Sequence, residues 1–267
     1  MRWQLAICWL VLLLAPPEAR ARDRGADGRY DERRSSHFVL LQDVDIERRS
    51  GWRGSRQFEQ QVLRVLEAAH EDLGDRLGFD VRRPVRVVLH DPAVFDQRFS
   101  RLFRFPAGGF YGGSIQVRGD ARLTWVLERT LRHELVHAGF DQASPSWAPP
   151  AWINEGTAEW FEQRSLGKRR PSPVEIAQLR EAARHGRLPT LAELSVRGFG
   201  HLPPEKAQLA YLESYAAVEQ LVSRRGEARF SSFLADLVRL RNPDQALRRN
   251  YRMDTAGLEA SLRNELR

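Results

Sequence analysis

The sequence predicts an α+β fold: a small N-terminal sheet with a helix packed against it, then a mostly helical C-terminal half. Three observations predict it. Two short runs rich in valine and leucine, HFVLLQ at 37–42 and PVRVVLH at 84–90, have strand character. Between them, Phe58, Val62, Leu66, Ala69 and Leu73 recur at the three- and four-residue spacing of an amphipathic helix. From Ala121 onward the pattern is helical almost to the end, with no internal repeat and no dividing linker.

The elements follow in chain order. Residues 1–21 combine Arg2, an unbroken apolar run from Leu5 to Ala15 and small residues at Ala19 and Ala21, the pattern of a cleaved signal peptide. The run is short for a membrane span, which needs about 20 apolar residues. An exported protein, periplasmic or secreted, is therefore expected. Cys8, the single cysteine, lies inside that run, so cleavage after Ala21 leaves a mature chain whose metal ligands must be nitrogen or oxygen. Residues 22–35 are charged and nearly free of large apolar side chains, and read as a flexible linker. The folded domain is expected over 36–267. Its first helix should stop near Gly74 or Gly78. After the second strand, FPAGGFYGGSIQVRG carries two glycine pairs, read as a turn leading into a short strand at Ser114 to Val117.

The chain of 267 residues carries a net charge of +7. Its basic residues are scattered and nearly all arginine, Lys168 and Lys206 being the lysines. No nucleic-acid motif accompanies them, so a solvated basic surface is expected, compatible with weak attraction to anionic envelope material and with no specific nucleic-acid partner.

The chemistry concentrates in TLRHELVHAGF, Thr130 to Phe140. Residues four apart share a helix face, so His133 and His137 can grip one ion. Catalytic zinc keeps three protein ligands and a water, and Glu134 sits where it can take a proton from that water instead of binding the metal. Leu131, Leu135 and Ala138 give the same helix a core face, so the motif alone also fits a packed helix; a third ligand decides between the two. The helix is expected to end near Gly139, and Pro149 and Pro150 to open the next one, which carries AWINEGTAEWFEQ. In an antiparallel hairpin, Glu155 comes level with His137 and is the natural third ligand. Glu159, one turn on, can accept the second ring N–H of a ligand histidine. Gly156 inside that helix costs about 1 kcal/mol relative to alanine, a cost explained if the backbone must approach the first helix closely.

HELVH followed by WINEGTAEWFE resembles the gluzincin metallopeptidases of the thermolysin and aminopeptidase N type, and most closely the peptidase MA-like domains of exported bacterial proteins. The resemblance extends loosely to HFVLL, PVRVVLHDPAVF and SYAAVEQLVSRRG. It implies a zincin-like fold with a mixed sheet, one zinc ion per chain held by His133, His137 and Glu155, Glu134 as general base, and a peptide or protein substrate. The alternative HExxHxxGxxH pattern is excluded, since Phe140 stands at its glycine and Ala143 at its third histidine. Such sites add a donor for the oxyanion, and Tyr211 and Tyr215, four apart on one helix, are both candidates as well as ordinary core residues, with His201 a weaker one. The stretch that matches the aminopeptidase GxMEN strand has no acidic residue, which argues against aminopeptidase activity. A strand edge at Ser114 to Val117 can still bind an extended peptide by β-addition. The expected activity is zinc-dependent peptide-bond hydrolysis; the alternative is a non-catalytic zincin-fold binding protein of the cell envelope.

Overall fold

The computed structural model describes residues 28–44, 46 and 52–267. The expected signal peptide and the first part of the expected linker lie outside them. Five strands form one mixed sheet: β1 (Asp31–Arg34), β2 (Phe38–Asp43), β3 (Val85–His90), β4 (Gly109–Tyr111) and β5 (Ile115–Arg118), in the order β1-β2-β3-β5-β4. The β2–β3 and β3–β5 pairs are parallel, and the β1–β2 and β4–β5 pairs at the margins are antiparallel. The helices are α1 (Trp52–Leu77), α2 (Pro92–Phe99), α3 (Trp125–Ala143), α4 (Ala151–Ser165), α5 (Pro173–Arg184), α6 (Pro204–Leu240), α7 (Pro243–Tyr251) and α8 (Thr255–Glu265). This is the α+β arrangement the sequence predicts. Among the described residues, no helix is long and apolar enough to cross a membrane.

The helix between β2 and β3 forms for the expected reason. Phe58, Val62, Leu66, Ala69 and Leu73 are all buried on one face of α1, joined in a single core with Phe38, Leu40, Val87 and Leu89 of the sheet.

Three local expectations need correction. Residues 31–34, read as linker, form β1: four-residue pairing with β2 satisfies the backbone, and the Arg33 Nε to Glu59 Oε2 ion pair at 2.6 Å ties the strand to α1. Composition reports side chains, and this strand is held mainly by its main chain. Second, β5 is hydrogen-bonded on both sides, so the free edge is β4, not Ser114 to Val117. Third, α3 continues past Gly139 to Ala143, because Phe140 packs on Phe79 with ring centroids 4.8 Å apart and the helix gains buried surface by continuing.

α3 and α4 make the expected antiparallel hairpin. Arg129 meets Glu162, His133 meets Glu155, and His137 meets Asn154, with rising numbers on one helix matched to falling numbers on the other. Pro150 caps α4 without a side-chain acceptor. The amides of Ala151 and Trp152 donate instead to the carbonyls of Val196 (2.9 Å) and Leu194 (3.2 Å), which pins the segment after Leu194 beside the hairpin.

Candidate metal centre

A cleft of about 1000 Å³ opens between the sheet edge and the hairpin. Its walls include β4, the face of α3 carrying His133, Glu134 and His137, the start of α4 with Asn154 and Glu155, the segment Ser195 to Gly200, and Tyr211 of α6. The helical spacing of His133 and His137 sets their ring centroids 5.1 Å apart on one face. Glu155 Oε2 lies 3.3 Å from His133 Nε2 and 3.6 Å from His137 Nε2. One ligand atom from each of the three falls within 4.8 Å of the others.

These separations fit zinc. Bonds of 2.0–2.1 Å in tetrahedral geometry put neighbouring ligand atoms about 3.3 Å apart, close to the two distances observed. Imidazole and carboxylate are donors zinc accepts. Beside them Glu134 is buried, and its Oε2 has no hydrogen-bond partner among the described residues. An orphaned carboxylate oxygen in a cleft is an acceptor awaiting a water or substrate proton.

The electrostatics point the same way. Burial disfavours the charged form of His133, but the facing carboxylates of Glu155 and Glu162 outweigh it and hold the imidazolium pKa well above its ordinary value. Burial works to raise the Glu155 pKa, and His137 and His133 overcome it, so this carboxyl stays below the usual range. Glu134 is pushed up by burial, only partly offset by the two histidines. The cluster favours added positive charge.

The outer faces of the imidazoles are also held. His137 Nδ1 is 2.9 Å from Asn154 Oδ1, and His133 Nδ1 is 3.4 Å from Glu162 Oε2. With Nε2 of each ring given to a metal, Nδ1–H is the donor in both contacts. Glu162 is in turn bound by Arg129, whose Nε donates to Oε1 at 2.9 Å. Glu159 belongs to the same cluster, its carboxylate within 4.8 Å of His133 and Glu162 ligand atoms and 4.0 Å from Arg129 Nη2. Its pKa is raised by burial and by the neighbouring Glu162.

The sequence expectations include neither Asn154, Glu162 nor Arg129 as site residues, though the signal is present. Glu162 ends the stretch WINEGTAEWFE and lies seven residues from Glu155, two turns along the same face. Arg129 precedes His133 by one turn.

The structure separates the two tyrosines. Tyr211 lines the cleft, its ring 6.5 Å from that of His133 and packed edge-on against Phe199 and Phe105. Tyr215 is buried outside the cleft lining, with Lys168 Nζ 5.3 Å above its ring. Burial pushes both phenols above their ordinary pKa, so Tyr211 remains a proton-bearing donor. His201 lines a separate cavity.

Gly156 has a different reason from the one expected. A Cβ there would lie 2.4 Å from the Ser214 carbonyl oxygen, so the close approach is to α6, not α3. That contact seats α6 against α4 three residues from Tyr211, and brings the tyrosine to the cleft.

No curated protein and no solved structure matches the chain. The sequence profile of the Peptidase MA superfamily matches residues 85–267, a span that holds every side chain of the centre. With that match covering well over half its length, the chain belongs to the Peptidase MA superfamily.

Proposed function

We propose that the protein is an exported zinc-dependent peptidase of the gluzincin type, with His133, His137 and Glu155 as metal ligands and Glu134 as general base. The observation that carries the reading is the convergence of those three ligand atoms within 4.8 Å beside the buried, unpartnered oxygen of Glu134. Family membership supports peptide or protein substrates. The residues 1–21 support export, to the periplasm or outside the cell.

Bound zinc supplies a Lewis acid that polarises a carbonyl and lowers the pKa of its water to about 7. Glu134 takes the proton of the attacking water and returns it to the leaving amine, a role its burial-raised pKa suits. Tyr211, lining the cleft beside His133, donates to the oxygen that gains charge as the tetrahedral centre forms. Asn154 and Glu162 hold the imidazoles in one orientation, with Glu159 in the same cluster beside His133. The free edge of β4 pairs with an extended peptide laid along the cleft.

Metal analysis of the purified chain, with a peptide-library assay run with and without chelator, tests this reading. Zinc near one per chain and chelator-sensitive cleavage are expected. Full zinc loading with stoichiometric peptide binding and no cleavage would identify the non-catalytic envelope-binding protein instead.

A further inference from the structure

We propose that the bend of α6 carries a second binding site, selective for a phosphoryl group and separate from the metal centre. Gly226 has φ 79° and ψ 167°, a non-helical conformation that breaks α6 into two helical runs. Arg224 and Arg225 precede the break and Arg229 follows it, all three exposed, so the bend gathers three guanidiniums. Together with Tyr251 and Met253 they line a cavity of about 510 Å³.

Among the described residues, no carboxylate neutralises the arginines of this cavity. No carboxylate lies within 4 Å of Arg224, Arg225 or Arg229 among the described residues; Arg224 is steadied by a hydrogen bond to the Ser261 hydroxyl. Arginines close by in the fold are paired, Arg164 with Glu219 and Glu227, and Arg76 with Glu227. The second observation is Tyr251. The residue is only 4% exposed, its ring is held edge-on against Phe233, and its hydroxyl has no hydrogen-bond partner among the described residues. Burial pushes its pKa up while Arg229 and Arg225 pull it down, so the phenol sits in the field of the same two guanidiniums.

The ligand class follows from the inventory. The three guanidiniums offer only donors, the phenol adds an O–H, and no carboxylate belongs to the lining. A phosphate monoester brings up to two negative charges and three terminal acceptor oxygens, and guanidinium forks match its geometry. A carboxylate, with two oxygens and one charge, leaves part of the set unmet. At about 1.5 Å per residue, the helical run from Tyr211 to Arg225 is about 20 Å long, and none of the cavity's residues lines the cleft. Occupancy therefore needs neither zinc nor peptide. The same chemistry is offered by soluble phosphate monoesters and by monoester lipid headgroups of the phosphatidate type.

Calorimetric titration of inorganic phosphate into the full chain, in chloride buffer, is expected to give saturable binding at one site per chain. The Arg225→Gln/Arg229→Gln double variant should weaken it about tenfold or more. Tyr251→Phe should weaken it several-fold, with a Tm measured in phosphate-free buffer to show that the fold is intact. A parallel sedimentation assay compares phosphatidylcholine vesicles containing phosphatidic acid with vesicles of phosphatidylcholine alone. Retention on the former that the double variant loses assigns the site to a headgroup; phosphate binding without retention assigns it to a soluble phosphate. Absence of saturable phosphate binding, or a titration that neither variant alters, overturns the proposal.

Discussion

The helical half buries carboxylates in two places, organised in opposite ways. Around His133, Glu134, Glu155, Glu159 and Glu162 share a region with two imidazoles and Arg129. On α6, Glu213 is fully buried with neither oxygen hydrogen-bonded, and Arg263 Nη2 stands 3.3 Å from Oε1. Burial pushes the Glu213 pKa up to about 8, Arg263 offsetting only part of it. In the first place, two histidines overcome the same burial and keep Glu155 below its ordinary range. Burial alone makes a carboxyl hold its proton; burial among converging imidazoles keeps it charged and suited to a cation.

The comparison breaks first at Glu134. Glu134→Gln is expected to keep zinc near one per chain while turnover falls about 10²–10⁴-fold; elemental analysis beside a peptide-cleavage assay reads both, and normal turnover would sink the assignment. Next in size, Tyr211→Phe should lower kcat about 10²-fold and leave KM little changed, whereas Tyr215→Phe should resemble the wild type. Equal losses in the two would mean that the cleft does not distinguish them. Glu162→Gln removes the anion facing His133 Nδ1, and should weaken zinc binding about 10–100-fold in a competitive chelator titration.

Smaller effects concern stability. Gly156→Ala forces a methyl group against the Ser214 carbonyl and should cost about 1–3 kcal/mol by denaturant unfolding, with some activity lost as Tyr211 shifts. Glu213 sharpens the comparison through pH. Its folded pKa of about 8 exceeds the ordinary 4.5, so between those values the folded state binds more proton than the unfolded one. Stability contributed by this group is thus fully present below about pH 4.5 and falls as pH rises towards 8, by at most about 1.4 kcal/mol per pH unit. In Glu213→Gln that slope should vanish, leaving a variant more stable than the parent at pH 8 and similar at pH 4, as thermal melts across the range would show.

Much of this was legible in the sequence because it is local. The helical period puts His133 with His137, and Glu155 with Glu159 and Glu162, whatever the rest of the chain does. The inward face of α1 follows from the same period, and the strands β2, β3 and β5 from short β-branched runs. What was missed is also physical. β1 has almost no apolar side chain and exists through pairing with β2. The free edge fell to β4 because β5 found a partner on each side, which no property of either strand declares.

The choice between Tyr211 and Tyr215 marks the boundary most clearly. They lie four apart on one helix, about 40° apart in projection, and nothing local separates them. The packing of α6 against α4 through Gly156 decides it, setting Tyr211 in the cleft and Tyr215 under Lys168. The sequence by itself determined which side chains share a face, since that depends only on the rise and turn of each element. Tertiary structure alone decided which faces meet, because that depends on where backbones can approach within touching distance. Here that place is Gly156 against Ser214, whereas the Gly226 bend gathers three arginines by its positive φ alone.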